Sequence, residues 1–184
     1  MGLATPTAIM VGTGKGAESG ILFRTSEALE RAGRVSVVIL DKTGTITHGK
    51  PVQTDYLPLS ETSYVAPQII AASLGARSDH PVSQAIAKHE ALHTSTLKQV
   101  DNFEALPGRG VKGMIEGQLY HLGNHRLINE LGLATPQLEA SLNQLERQGK
   151  TVVALTSTTQ VFALFAVADT VRDSSQTAIK ELHE

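Results

Sequence analysis

The chain has 184 residues, 41% of them hydrophobic, a formal net charge of −2 and no cysteine. A chain of this size and apolar content can bury a real core, while the lack of cysteine excludes a disulfide framework and a thiolate metal site. The near-balanced charge, with no Lys/Arg run and with 4% aromatic residues, gives no electrostatic or stacking basis for a nucleic-acid partner. No apolar run reaches the roughly 20 residues that span a bilayer, and the N-terminus lacks the basic-then-apolar order of a signal peptide.

The first stretch, MGLATPTAIMVGTGKGAESGILF, is rich in Gly, Ala and Thr and carries one charged cluster. That composition fits neither an amphipathic surface helix nor a loop. SEALERAG predicts a short helix with Ser26 as N-cap and Gly33 as its terminator. VSVVIL, Val35 to Leu40, is almost continuously apolar, as expected of a parallel strand covered on both faces. Beyond Pro51, PQIIAASLGA predicts a helix, and PVSQAIAKHEALH another, with Pro81 at its first position and Val82, Ala85, Ile86 and His89 on one face. VKGMIE and QLYHLG predict a hairpin turning at Gly117. PQLEASLNQLERQG predicts a helix capped by Thr135, striped by Leu138, Leu142 and Leu145 and ended by Gly149. TVVALT and VFALFAVA pair around STTQ, and SSQTAIKELHE opens a last helix.

Asp41 follows VVIL without a gap. Parallel α/β sheets bind ligands just beyond the carboxyl ends of their strands, so this carboxylate stands where chemistry is done. An ionised Asp can serve as a covalent nucleophile toward a phosphoryl group, provided that a cation, a positive side chain or backbone N–H groups absorb the charge. Lys42, Thr43, Gly44 and Thr45 offer such groups. The alternative, on these residues alone, is a turn or cap residue. Two other motifs fail. GRGVKG, Gly108 to Gly113, has dinucleotide-fold spacing but precedes strand-like sequence rather than a helix. GTGKGAES lacks a P-loop's first glycine, with Ile9 in that place, and Lys15 is followed by Gly16 instead of Ser or Thr.

DKTGTITHGKP closely resembles the phosphorylation motif of P-type ATPases, the ion pumps that form an aspartyl-phosphate, and Asp41 to Thr47 fit the pattern consecutively. The resemblance implies that Asp41 is the phosphate acceptor, Lys42 an electrostatic partner, and Asp41 with the Thr43 main-chain carbonyl the Mg²⁺ ligands. It extends over essentially the whole chain, and the first stretch is similar to the cytoplasmic end of the metal-site membrane helix. SDHP, Ser78 to Pro81, resembles the His-Pro motif of the heavy-metal branch, whose histidine contacts adenine; on residues alone His80 reads as a neighbour of a helix N-cap. PGRGVKG supplies Gly108 and Gly110 at the branch's Gly-x-Gly, and LGNHR supplies Gly123 and Asn124 at a further nucleotide contact. One departure stands out. Where the family commonly has a glutamate near the adenine, this chain has Gly75, and restoring the acid would be expected to tighten binding. Asp169 and Arg172 match the family's hinge pattern, with an exposed helix-capping pair as the alternative.

The resemblance implies an α/β architecture: an incomplete haloacid-dehalogenase-like Rossmann phosphorylation domain with an inserted α+β nucleotide-binding domain, an antiparallel sheet flanked by helices. The expected division is a membrane-linked helix and linker over 1–33, phosphorylation domain over 34–51, nucleotide-binding domain over 52–167 and return segment over 168–184. The implied function is ATP-driven heavy-metal export, with ATP and Mg²⁺ as cofactors, at the cytoplasmic face of a plasma (inner) membrane. The transported ion would be met by membrane segments outside this sequence. GLATPT is similar to copper exporters and ARSDHPVSQAIA to zinc/cadmium exporters; copper is preferred because the first segment adjoins the transport site. Two alternatives remain open: a haloacid-dehalogenase-type phosphatase, against which Thr43 stands where a second Asp is usual, and a nucleotide-binding module without catalysis. The sequence lacks the family's Thr-Gly-Asp and Gly-Asp-Gly-x-x-Asp segments, so it is expected to bind nucleotide without turnover. His89 and His93 have helical i, i+4 spacing, for which exposed helix positions are the simpler reading than a metal site.

Overall fold

The computed structural model describes residues 4–60, 65–91 and 96–183, in two compact units, Met1–Leu40 and Asp41–Glu184. His93 lies outside the described residues. In the first unit, α1 (Ala4–Glu18) and α2 (Ser26–Ala32) pack through Gly12, whose missing side chain leaves room for Leu29. The N-cap of α2 is Thr25, whose side chain accepts from Ala28 N, and the expected cap Ser26 is already helical. No helix among the described residues is long and apolar enough to cross a membrane.

The expected covered strand at Val35–Leu40 does not form. The segment joins no sheet, and Ile39 is 92% exposed. A strand exists through its ladder partners, and among the described residues nothing pairs with this one.

The second unit holds the antiparallel sheet flanked by helices. Its six strands are β1 (Thr47–Pro58), β2 (Asp101–Leu106), β3 (Gly110–Ile115), β4 (Gln118–Gly123), β5 (Thr151–Thr156) and β6 (Val161–Val171), in the order β1-β6-β5-β4-β3-β2. On one face, Ile70, Leu74 and Ile86 of α3 (Pro67–Gly75) and α4 (Pro81–Ala91) pack against Ile115, Leu122 and Phe165. On the other, Ile128 of α5 (His125–Glu130) with Leu138 and Leu142 of α6 (Pro136–Glu146) packs against Val152, Ala154 and Leu164. Successive strand residues point to opposite faces, so β5 gives Val152 and Ala154 to one core and Leu155 to the other.

The β3–β4 hairpin turns at Glu116 and Gly117, both with positive φ (52° and 80°), the two-residue turn whose twist matches that of the strands. Thr135 caps α6 by accepting from Leu138 N at 3.2 Å, and Pro136 follows at the first turn. The last helix is α7 (Asp173–His183).

Candidate nucleotide pocket and the Asp41 turn

Two structural features gather the residues singled out in the sequence. The first is a cavity of about 500 Å³ beneath the α3–α4 connection, floored by β2 to β5. His80, Gly108, Gly110 and Asn124 line it although up to 44 positions separate them, and Val82, Phe103, Val111, Leu122 and Val153 give it an apolar wall. A mostly apolar concavity with a few convergent polar groups is the usual form of a small-molecule site.

Each member has a local reason to be there. Pro81 opens α4, and the residue before a proline is driven from the helical region, so His80 sits in the connection. Its ring Nδ1 accepts from Val82 N at 3.3 Å, capping the helix, which leaves the proton on Nε2. His80 is therefore both a cap and a cavity residue. Gly108 adopts φ 68° in the β2–β3 turn with open space where a Cβ would be. Gly110 is held differently. A Cβ there would lie 2.2 Å from Leu122 O, so β3 and β4 approach this closely at the cavity's end only because the residue is glycine. Gly123, its register partner, is not in the cavity lining; a Cβ there would meet Leu127 Cδ2 at 2.3 Å and Arg109 O at 2.7 Å. Asn124 caps α5 by accepting from Leu127 N at 3.3 Å and donates to Gly108 O at 3.0 Å, and its own N–H donates to Arg109 O at 2.8 Å. These bonds lock the β2–β3 turn to the start of α5.

Arg109 and Glu130 have no counterpart in the sequence reading. Arg109 lines the cavity and donates through Nη1 to Glu130 Oε2 at 3.1 Å, while Arg126 Nε donates to the other Glu130 oxygen at 3.0 Å. The two arginine hydrogen bonds hold the Glu130 carboxyl below the usual carboxylate range. Gly75 is not in the cavity lining. It is buried at the end of α3, and a Cβ there would lie 2.4 Å from Ser83 O on α4, so helix packing already fills the space that the expected glutamate would enter.

The second feature is the turn between Asp41 and Thr47. Asp41 is exposed and accepts from Lys42 N at 2.9 Å. Gly44, at φ 78°, reverses the chain, Thr47 N–H donates to Lys42 O, and Gly44 N–H donates to the Thr47 hydroxyl oxygen at 3.3 Å. The return strand braces the turn. Asp169 Oδ2 accepts from the Thr47 hydroxyl and from Gly49 N, the latter at 3.2 Å. Arg172 donates from Nε to Thr47 O at 2.9 Å and from Nη2 to Gly44 O at 3.0 Å, and its backbone N–H donates to Ile46 O at 2.9 Å. The Asp169 and Arg172 side chains thus reach back to the turn, while the Arg172 carbonyl accepts from Ser175 N at 3.0 Å in the first turn of α7.

Asp41 is absent from the cavity lining, so the carboxylate and the pocket are separate features of this structure. The Asp41 carboxylate and the Thr43 carbonyl are two oxygen donors, fewer than Mg²⁺ needs, and the described residues hold no group of three or more acidic or histidine ligands. On their own these two residues do not make a cation site.

The family model for haloacid dehalogenase-like hydrolases matches residues 35–184. A copper-exporting P-type ATPase of Staphylococcus saprophyticus is 44% identical over 184 residues, covering 100% of this chain and 22% of its own length. One from Staphylococcus aureus (strain JH9) is 39% identical over 185 residues, again covering 100% of this chain and 22% of its own. Among solved structures, a zinc-transporting PIB-type ATPase in the E2.Pi state superposes with a TM-score of 0.85 at 31% identity, covering 97% of this chain and 29% of that one. The chain spans less than a quarter of the length of these two curated relatives.

Proposed function

The chain belongs to the haloacid dehalogenase-like hydrolase family, and from that premise we propose that it is the ATP-binding part of a heavy-metal P-type ATPase that works as an exporter. The observation that carries the reading is the convergence of His80, Gly108, Gly110 and Asn124 on one apolar cavity. The cavity's volume suits a purine and its sugar. Val82, Leu122 and Val153 supply the desolvated walls, Phe103 a π-face, and the His80 Nε2–H a donor for the base or ribose. The closed glycine turn at Gly108 to Gly110 lets backbone approach a ligand without a side chain between.

Asp41 is the acceptor in this reading. Its carboxylate would attack the γ-phosphorus of ATP, forming an O–P bond as the bond to the ADP oxygen breaks, and ADP departs with that electron pair. Lys42 supplies a positive charge beside the nucleophile, and Arg172 with Asp169 fixes the backbone that presents it. Asp41 and the Thr43 carbonyl would hold Mg²⁺ together with the ATP phosphates, where the cation neutralises charge. Copper is the favoured cargo, since the relatives that match the whole chain at 39–44% identity are copper exporters, with zinc as the alternative favoured by the structural match. Such a pump would work from the cytoplasmic face of the plasma (inner) membrane.

Calorimetric titration with ATP tests the pocket. His80→Ala is expected to weaken binding about tenfold, the value of one lost hydrogen bond to a ligand together with its ring contact. An unchanged affinity in a variant of unchanged fold would refute the assignment of the cavity.

A further inference from the structure

Granting the nucleotide reading of the cavity, we propose that Arg109 is a polyphosphate-binding residue, which makes the site selective for charged nucleotides over nucleosides. The residue stands between Gly108 and Gly110 in the lining of the cavity, whose other charged members are Arg77 and Asp79. Its backbone is fixed on both sides, by Arg109 N–H donating to Leu106 O at 3.0 Å and Arg109 O accepting from Asn124 N at 2.8 Å. The side chain is fixed too, through one Nη1 bond to Glu130, at 37% exposure.

The charge arithmetic at this corner favours an anion. Two guanidinium groups, Arg109 and Arg126, share the single carboxylate of Glu130, leaving one positive charge unneutralised. Arginine presents five N–H donors in a planar fork, and Glu130 takes one of those of Arg109, so the others are available to phosphate oxygens. The two arginines differ in placement: Arg126 is 72% exposed and does not line the cavity, whereas Arg109 does. Arg77 also lines the cavity but makes no ion pair among the described residues. A base on the apolar walls would leave its phosphates at the mouth, where a pre-positioned fork meets them with little entropy left to lose.

The test is titration of the whole chain with ATP, AMP and adenosine, in wild type, Arg109→Gln and Arg126→Gln. The two variants remove equal charge, so their comparison separates direct contact from the general field. Arg109→Gln is expected to weaken ATP binding about fivefold, to weaken AMP less and to leave adenosine unchanged, while Arg126→Gln changes ATP binding less than about twofold. The fivefold loss should shrink as salt is raised. Equal losses for ATP and adenosine, equal effects of the two variants, or no effect of Arg109→Gln would each overturn the role of Arg109 while leaving the nucleotide pocket in place. If the wild-type chain binds none of the three ligands, the pocket reading itself falls, and this inference with it.

Discussion

Replacing Gly75 by glutamate is expected to destabilise the chain by about 3 kcal/mol or more, the sum of overpacking and of burying an unpaired charge. The side chain would start 2.4 Å from the Ser83 carbonyl, a backbone atom that can move only if α4 moves with it. Even alanine meets this contact, so Gly75→Ala should cost about 1–3 kcal/mol, with glutamate adding the penalty of its charge. Denaturant unfolding monitored by circular dichroism measures both variants. The resemblance led to an expectation of tighter nucleotide binding with the acid restored, and the α3–α4 contact sets a stability cost against that gain. A Gly75→Glu variant of wild-type stability would show that the two helices separate readily and that the adenine-side acid can be accommodated.

Gly110→Ala should have an effect of similar size, and it should abolish nucleotide binding as well. The new Cβ would be 2.2 Å from Leu122 O and 2.5 Å from Gly123 Cα, and φ is 143°, a conformation that side chains rarely adopt. Overpacking and backbone strain together predict a loss of about 3 kcal/mol. The neighbours are backbone, so relief requires β3 and β4 to part where the Gly110 and Gly123 pair closes the sheet beside the cavity. Gly108→Ala is the control. It shares positive φ but has open space, so it should lose only about 1 kcal/mol of conformational strain. Unfolding curves and ATP titration on the two variants distinguish close approach from turn conformation as the need for glycine.

Regular patterns were legible in the sequence where local chemistry and tertiary packing agree. Thr135, Pro136 and the leucines at 138, 142 and 145 specify α6 by capping and periodicity together, and Gly117 marks the β3–β4 turn. β1 escaped because it is an edge strand: Pro51 and Pro58 are tolerated there, and its register breaks twice, which erases any alternation. α5, with six residues, is too short to show a period. VSVVIL failed in the opposite sense, since its composition asks for a strand and the described residues offer no partner. Ser26 and Thr25 are both good caps, and only geometry chooses Thr25.

The candidate site was legible mainly through resemblance to a family. His80, Gly108, Gly110, Gly123 and Asn124 could be named, but spacing could not show that Gly110 keeps a side chain from between two strands or that Gly123 leaves room for Leu127. Nor could it show that Asn124 ties one turn to another. The bracing of the Asp41 turn depends on contacts across 120 positions or more, from Thr47 and Gly49 to Asp169 and from Gly44 to Arg172. Arg109 and Glu130 carried no sequence signal beyond a charged residue in a glycine turn and one on a short helix.

The most direct test of the nucleotide pocket is chemical-shift mapping of the isotope-labelled chain during titration with ATP. The structure predicts that the largest amide perturbations fall on Arg77 to Ser83, on Leu106 to Val111 and on Gly123 and Asn124, with the α6 face of the sheet undisturbed. Saturable shifts confined to those segments would match the prediction. Shifts confined to other segments, or none up to millimolar ATP, would contradict it.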